Sequence, residues 1–131
     1  MVTRPGGRVL VVEDDDSMRD AIEKLLGAAG FRCAAYTCAD AMLAQKVDED
    51  LMCVISDLRL PGMSGLELLA ALRERHVTAP FILITAHDSP SVREAAQRGG
   101  AAAYLAKPFR GTALLRSLEA AIAPSTPSSA S

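Results

Sequence analysis

Four apolar, β-rich runs in this chain each end in, or are closely followed by, a residue that could do chemistry. Glu13 and Asp14 follow RVLVV, Asp57 ends LMCVISD, Thr85 ends FILIT, and Lys107 stands before a proline in AAYLAKP. Carboxylates with no histidine or thiolate at ligand spacing are hard oxygen donors, which suit Mg²⁺ or Mn²⁺ rather than zinc. An aspartate held in such a cluster can itself attack phosphorus. A divalent cation and an ammonium would neutralise charge on the equatorial phosphoryl oxygens, and a hydroxyl would donate a hydrogen bond to one of them. The set therefore reads as a site at which an aspartate carries a phosphoryl group.

For this reading to hold, one fold must bring those ends together. Strand-like and helix-like segments alternate five times. The pattern predicts strands over 8–12, 31–36, 51–56, 79–84 and 102–105. It predicts helices over 17–29, 39–48, from the Ser64 cap onward, from Ser89-Pro90 to Arg98, and over 112–122. Asp16 or Ser17 is the expected cap of the first helix, and "SGLE" fits a capping box on Ser64 and Glu67. In the loop "RLPGMSG", Pro61, Gly62 and Gly65 break regular structure. Alternating elements with continuously apolar strands indicate a parallel sheet covered on both faces. Right-handed crossovers then favour a flavodoxin-like (βα)5 architecture: α/β, a doubly wound five-stranded sheet in the order 2-1-3-4-5. Such sheets bind ligands at the strands' carboxyl ends, where Glu13, Asp14, Asp57, Thr85 and Lys107 fall.

Composition narrows the alternatives. With 131 residues, half of them hydrophobic, and a net charge of −2, the chain reads as one globular domain without the basic footprint of direct nucleic-acid binding. Residues 1–7 read as an N-terminal extension, 8–123 as the domain, and 124–131 as a Pro/Ser-rich tail or linker stub. Cys33, Cys38 and Cys53 contain no CxxC pair, and Cys33 and Cys53 read as reduced core thiols. No apolar run approaches the ~20 residues of a membrane span, and the N-terminus lacks a signal peptide's apolar core, so no membrane association and a cytoplasmic location are expected.

The motifs "VLVVEDD", "VISDLRLPGMSG", "ILITA" and "YLAKPF", in this order, resemble the receiver domains of two-component response regulators over residues 8–122. The loop "DLRLPGMSGLELL" with "ITAH" is most similar to the FixJ-like branch, which usually carries a helix-turn-helix output domain. The resemblance implies that Asp57 accepts a phosphoryl group from a sensor histidine kinase. Mg²⁺ would be held by Asp14 directly, Glu13 through water, Asp57, and the backbone carbonyl of Arg59. Lys107 would ion-pair with the phosphoryl group, the Lys107–Pro108 peptide would be cis, and Thr85 and Tyr104 would be the switch pair. The side chains of Arg59 and His87 would tune the lifetime of the phosphoryl group.

Phosphorylation would then reshape the face made by the fourth helix, fifth strand and fifth helix. That face would control an output domain beyond Ser131 or a partner protein, and phosphorylation-dependent homodimerisation is a further expectation. Two other readings stay open. A haloacid-dehalogenase-like phosphatase also uses an aspartate nucleophile with Mg²⁺, although its D-x-D motif lies on the first strand, leaving Asp57 idle. A degenerate receiver would bind partners without phosphorylation, but it would be expected to lack an acid, the Thr or the Lys. A self-modifying phosphoacceptor rather than a turnover enzyme is the leading expectation.

Overall fold

The computed structural model describes residues 7–45 and 51–123. The elements are β1 (Arg8–Val12), α1 (Asp16–Ala28), β2 (Arg32–Tyr36), α2 (Ala39–Leu43), β3 (Leu51–Asp57), α3 (Gly65–Glu74), β4 (Phe81–Thr85), α4 (Pro90–Gly99), β5 (Ala103–Ala106) and α5 (Gly111–Ile122). All strand pairs are parallel, and the sheet order is β2-β1-β3-β4-β5, as the alternation predicts.

Successive strand residues point to opposite sheet faces, and this divides the core in two. Val9, Val11, Cys53, Ile55, Ile82 and Ile84 pack on Ile22 and Leu26 of α1 and Leu114 and Leu118 of α5. Leu10, Val12, Val54, Phe81 and Leu83 face α2, α3 and α4, including Met42, Leu68, Leu69, Leu72 and Ala96. Each fully buried side chain of this size contributes roughly 1.5–3 kcal/mol relative to exposure. A one-residue slip would turn every strand side chain to the wrong layer, so burial fixes the register. Val12 pairs with Ser56, Asp57 with Ile84, and Thr85 with Ala106. Glu13, Asp57, Thr85 and Lys107 consequently leave the sheet along a single edge.

The helix starts differ from expectation in one instructive place. The N-cap of α1 is Asp15, not Asp16 or Ser17: its extended backbone (φ −79°, ψ 118°) lets the carboxylate accept from the Met18 N–H at 2.8 Å. Asp16 is already helical, and its carboxylate meets Arg19 at 2.6 Å. Ser64 caps α3 with the reciprocal Glu67 bond that the sequence suggested. Helix α2 ends at Leu43 instead of running to Asp48; Ala44 and Gln45 have left it, and 46–48 lie outside the described residues. Strand β3 runs one residue further than predicted and takes Asp57 into the sheet.

Cys53 is buried and Cys33 half-buried; both are free, and burial pushes their thiols up to about 12 and about 11. Among the described residues no helix is long and apolar enough to cross a membrane. The cap assignment can be tested by urea denaturation. Asp15→Ala should lower the unfolding free energy by about 1 kcal/mol, whereas Asp16→Ala should stay within about 0.5 kcal/mol of the parent, as a surface substitution does. The reverse ranking would contradict the cap seen here.

Candidate functional site

The first loop builds half the site. Past the end of β1, the Glu13 N–H still donates to the Tyr36 carbonyl of β2 at 3.0 Å, so the backbone stays docked while the side chain turns inward. Glu13 is 0% exposed, which few carboxylates tolerate without partners. Its Oε2 accepts from the Asp15 N–H at 3.1 Å and its Oε1 from Lys107 Nζ at 3.0 Å. Arg19, one turn into α1, donates to the Glu13 backbone carbonyl at 3.0 Å while pairing with Asp16. Of the four adjacent acids, Glu13 therefore enters the site, Asp15 and Asp16 serve the helix start, and Asp14 is left exposed beside the site.

Asp57 supplies the second wall. It is 7% exposed, and its Oδ2 accepts from Lys107 Nζ at 3.3 Å. The buried Ser56 hydroxyl donates to the Asp57 backbone carbonyl at 2.9 Å. Gly65 completes this support. A Cβ at Gly65 would fall on the Asp57 carbonyl oxygen and within 2.9 Å of Leu83 Cδ1, so α3 can start directly behind Asp57 only without a side chain there. The sequence marks Gly65 as a breaker; in the structure it is the first residue of α3, and close approach is what requires it. Nothing local in the sequence distinguishes these two roles.

Lys107 comes from the far side of the sheet. Its N–H donates to the Thr85 carbonyl at 2.7 Å, which holds the end of β5 to the end of β4, and the Lys107–Pro108 peptide is cis. One ammonium thus bridges two carboxylates that come from β1 and β3. Burial alone would lower the Lys107 pKa, but the hydrogen bonds and charges of Glu13 and Asp57 outweigh it and hold the pKa above its ordinary value. That pairing stabilises the fold below the ordinary lysine pKa and is lost as pH rises through the raised one. Glu13 carries the opposite balance. Burial raises its pKa, the bonds from Lys107 and the Asp15 N–H offset only part of that, and the charge on Asp57 pushes the same way as burial.

The cluster holds more anionic oxygen than Lys107 can neutralise. Glu13, Asp14 and Asp57 each offer an oxygen, and these oxygens lie within 4.8 Å of one another. An all-carboxylate set at that spacing fits a hard divalent cation.

Thr85 is 0% exposed at the end of β4, and its Oγ1 accepts from the His87 N–H at 2.8 Å. His87 contributes that backbone group, while its side chain and that of Arg59 are exposed. Tyr104 on β5 is half-buried, and its hydroxyl donates to Asp88 at 2.8 Å. Asp88 and Arg93, which pairs with it, carry no motif signal in the sequence; only the fold brings them to Tyr104.

Comparison with known proteins adds independent observations. A family model described as the response regulator receiver domain matches residues 9–119. The transcriptional regulatory protein FixJ of Bradyrhizobium diazoefficiens is 34% identical over 125 residues, covering 95% of this chain and 61% of that protein. The DNA-binding transcriptional regulator NtrC of Salmonella typhimurium is 39% identical over 103 residues, covering 79% of this chain and 22% of that protein. The chain thus spans less than two-thirds of the length of either relative. Among solved structures, FixJ-N superposes with a TM-score of 0.81 at 31% identity, covering 92% of this chain and 94% of that one. The non-phosphorylated HemR receiver domain from Leptospira biflexa gives 0.84 at 26% identity, covering 92% and 98%.

The strained charge on Glu13 has a measurable consequence. In EDTA, Glu13→Gln should raise the melting temperature, because burial, the largest influence on Glu13, disfavours its charged form. If the carboxylate cluster holds Mg²⁺, the same variant should also gain less stability than the parent from added Mg²⁺. A lower melting temperature in EDTA would mean that the Lys107 bond outweighs the cost of burial.

Proposed function

The chain belongs to the response regulator receiver domain family of two-component systems, and from that premise we propose that it is a phosphorylation-driven switch with Asp57 as the phosphoacceptor. The observation that carries this reading is the bridge from Lys107 Nζ to Glu13 and Asp57, at 3.0 Å and 3.3 Å. It presents the Asp57 carboxylate, nearly dry, beside a cation-binding cluster and an ammonium.

The donor would be a phosphohistidine of a sensor histidine kinase. An Asp57 carboxylate oxygen attacks phosphorus, the P–N bond breaks, its electron pair returns to the imidazole, and an acyl phosphate remains on Asp57. Glu13, Asp14, Asp57 and the Arg59 carbonyl would hold Mg²⁺, which when bound offsets charge on the phosphoryl oxygens. Lys107, already placed at Asp57, shifts from Glu13 and Asp57 toward the new dianion. Thr85 supplies a hydroxyl to one phosphoryl oxygen at the cost of its bond from the His87 N–H. Tyr104 follows inward as the loop after β4 moves, changing the α4–β5–α5 face. Phosphorylation adds charge at one point and biases a two-state element elsewhere.

FixJ and NtrC are named as transcriptional regulators, which supports control of a transcriptional output domain or partner by this face. The exposed side chains of Arg59 and His87 would tune how fast the acyl phosphate is hydrolysed. In this reading the chain is a phosphoacceptor that catalyses its own phosphotransfer and dephosphorylation, and not a turnover enzyme.

Incubation with acetyl phosphate and Mg²⁺ should add one phosphoryl group per chain, read by intact mass. Asp57→Ala or EDTA should abolish labelling, and Asp14→Asn should raise the Mg²⁺ requirement at least about tenfold. Sustained hydrolysis of p-nitrophenyl phosphate by the parent would contradict the switch and favour a phosphatase.

A further inference from the structure

Asp88 lies in the loop after β4, between Thr85 and α4, and its carboxylate is shared. The Tyr104 hydroxyl donates to Oδ1 at 2.8 Å, and Arg93 Nη2 donates to Oδ1 and Oδ2 at 3.0 Å and 2.9 Å. The same guanidinium lies over the Tyr104 ring, 5.1 Å from its centroid, within reach of a cation–π attraction. Each of the three residues therefore contacts the other two, and they come from a loop, from α4 and from β5. Immediately before Asp88, the His87 N–H donates to Thr85 Oγ1 at 2.8 Å. Two adjacent loop residues thus hold both switch hydroxyls.

We propose that Asp88 and Arg93 are positioning residues that latch the Tyr104 phenol at the surface and, through the His87–Asp88 peptide, tie its rotamer to the position of the Thr85 hydroxyl. The proposal rests on the phosphoacceptor reading for its purpose, but not for its geometry. Tyr104 can turn inward only by giving up the Asp88 carboxylate and the Arg93 plane. Thr85 Oγ1 can move toward Asp57 only by leaving the His87 N–H. Both releases displace the same loop, so each lowers the cost of the other, which is the requirement for a bistable element.

An isolated surface ion pair would bias little. Here three contacts use the same side chains, so the ordering of Asp88 and Arg93 is shared among them. The charge states agree with a closed latch: the Tyr104 phenol and Arg93 hold the Asp88 carboxyl below its usual range, and Asp88 raises Arg93. A purely structural role for the trio, anchoring the start of α4, would affect stability and leave the Tyr104 rotamer alone.

The test uses the full chain with ¹³C-labelled tyrosine, the two tyrosines being distinguished with Tyr36→Phe. Tyr104 χ1 couplings report its rotamer populations without activator, and a beryllofluoride titration with Mg²⁺ reports the apparent affinity for the phosphoryl mimic. Asp88→Ala should raise the inward population and tighten beryllofluoride about fivefold by removing the cost of opening. Arg93→Ala should act in the same direction but less, and the double variant should do no more than Asp88→Ala, because both changes open one latch. Wild-type rotamers and wild-type affinity in Asp88→Ala would overturn the proposal. A parent chain that ignores beryllofluoride would overturn the phosphoacceptor reading instead, and the rotamer populations without activator would still decide the latch.

Discussion

One half-buried ammonium determines how this site is arranged. Glu13 comes from the end of β1, Asp57 from the end of β3, and both accept from Lys107 Nζ, which reaches them from beyond β5. Two carboxylates this close, one of them 0% exposed, would repel across a poorly screened gap without it. Sheet register brings the strand ends level, the Thr85 carbonyl holds the Lys107 backbone, and Gly65 lets α3 close behind Asp57. Together these place the two carboxylates and the ammonium within hydrogen-bond reach.

The balance is nevertheless incomplete, and the proposed function builds on that. Glu13, Asp14 and Asp57 offer more carboxylate oxygen than Lys107 can pair, and burial, with a smaller push from Asp57, raises the Glu13 pKa. A carboxylate set so arranged could hold a divalent cation, which would offset the charge that Lys107 leaves. Stability and chemistry are in tension at Glu13 specifically, while the apolar layers on either side of the sheet provide the surplus against which that tension is held.

Much of this was legible in the sequence because it is written in local patterns. Short apolar, β-rich runs and helical spacings gave the alternation of elements, and the crossover rule turned alternation into the 2-1-3-4-5 order. Since each chemical residue sits directly after an apolar run, placing the strands also placed Glu13, Asp57, Thr85 and Lys107. What escaped depends on three-dimensional proximity. The cap of α1 is Asp15, whose carboxylate takes the Met18 N–H while its own N–H donates to the buried Glu13 side chain, a combination that no local pattern marks. The role of Gly65 depends on how near α3 comes to Asp57, and the Asp88–Arg93–Tyr104 cluster joins side chains from three elements at no recognisable spacing.

The bridged, nearly dry carboxylate of Asp57 is the group proposed to become phosphorylated. Borohydride reduces an acyl phosphate to the alcohol, so trapping the chain after treatment with acetyl phosphate and Mg²⁺ marks the acceptor permanently. Peptide mass spectrometry should find homoserine at position 57 and aspartate retained at 14, 15 and 16. Homoserine at Asp14 in place of Asp57, or no reduced residue in a chain that has taken up phosphate, would contradict the account.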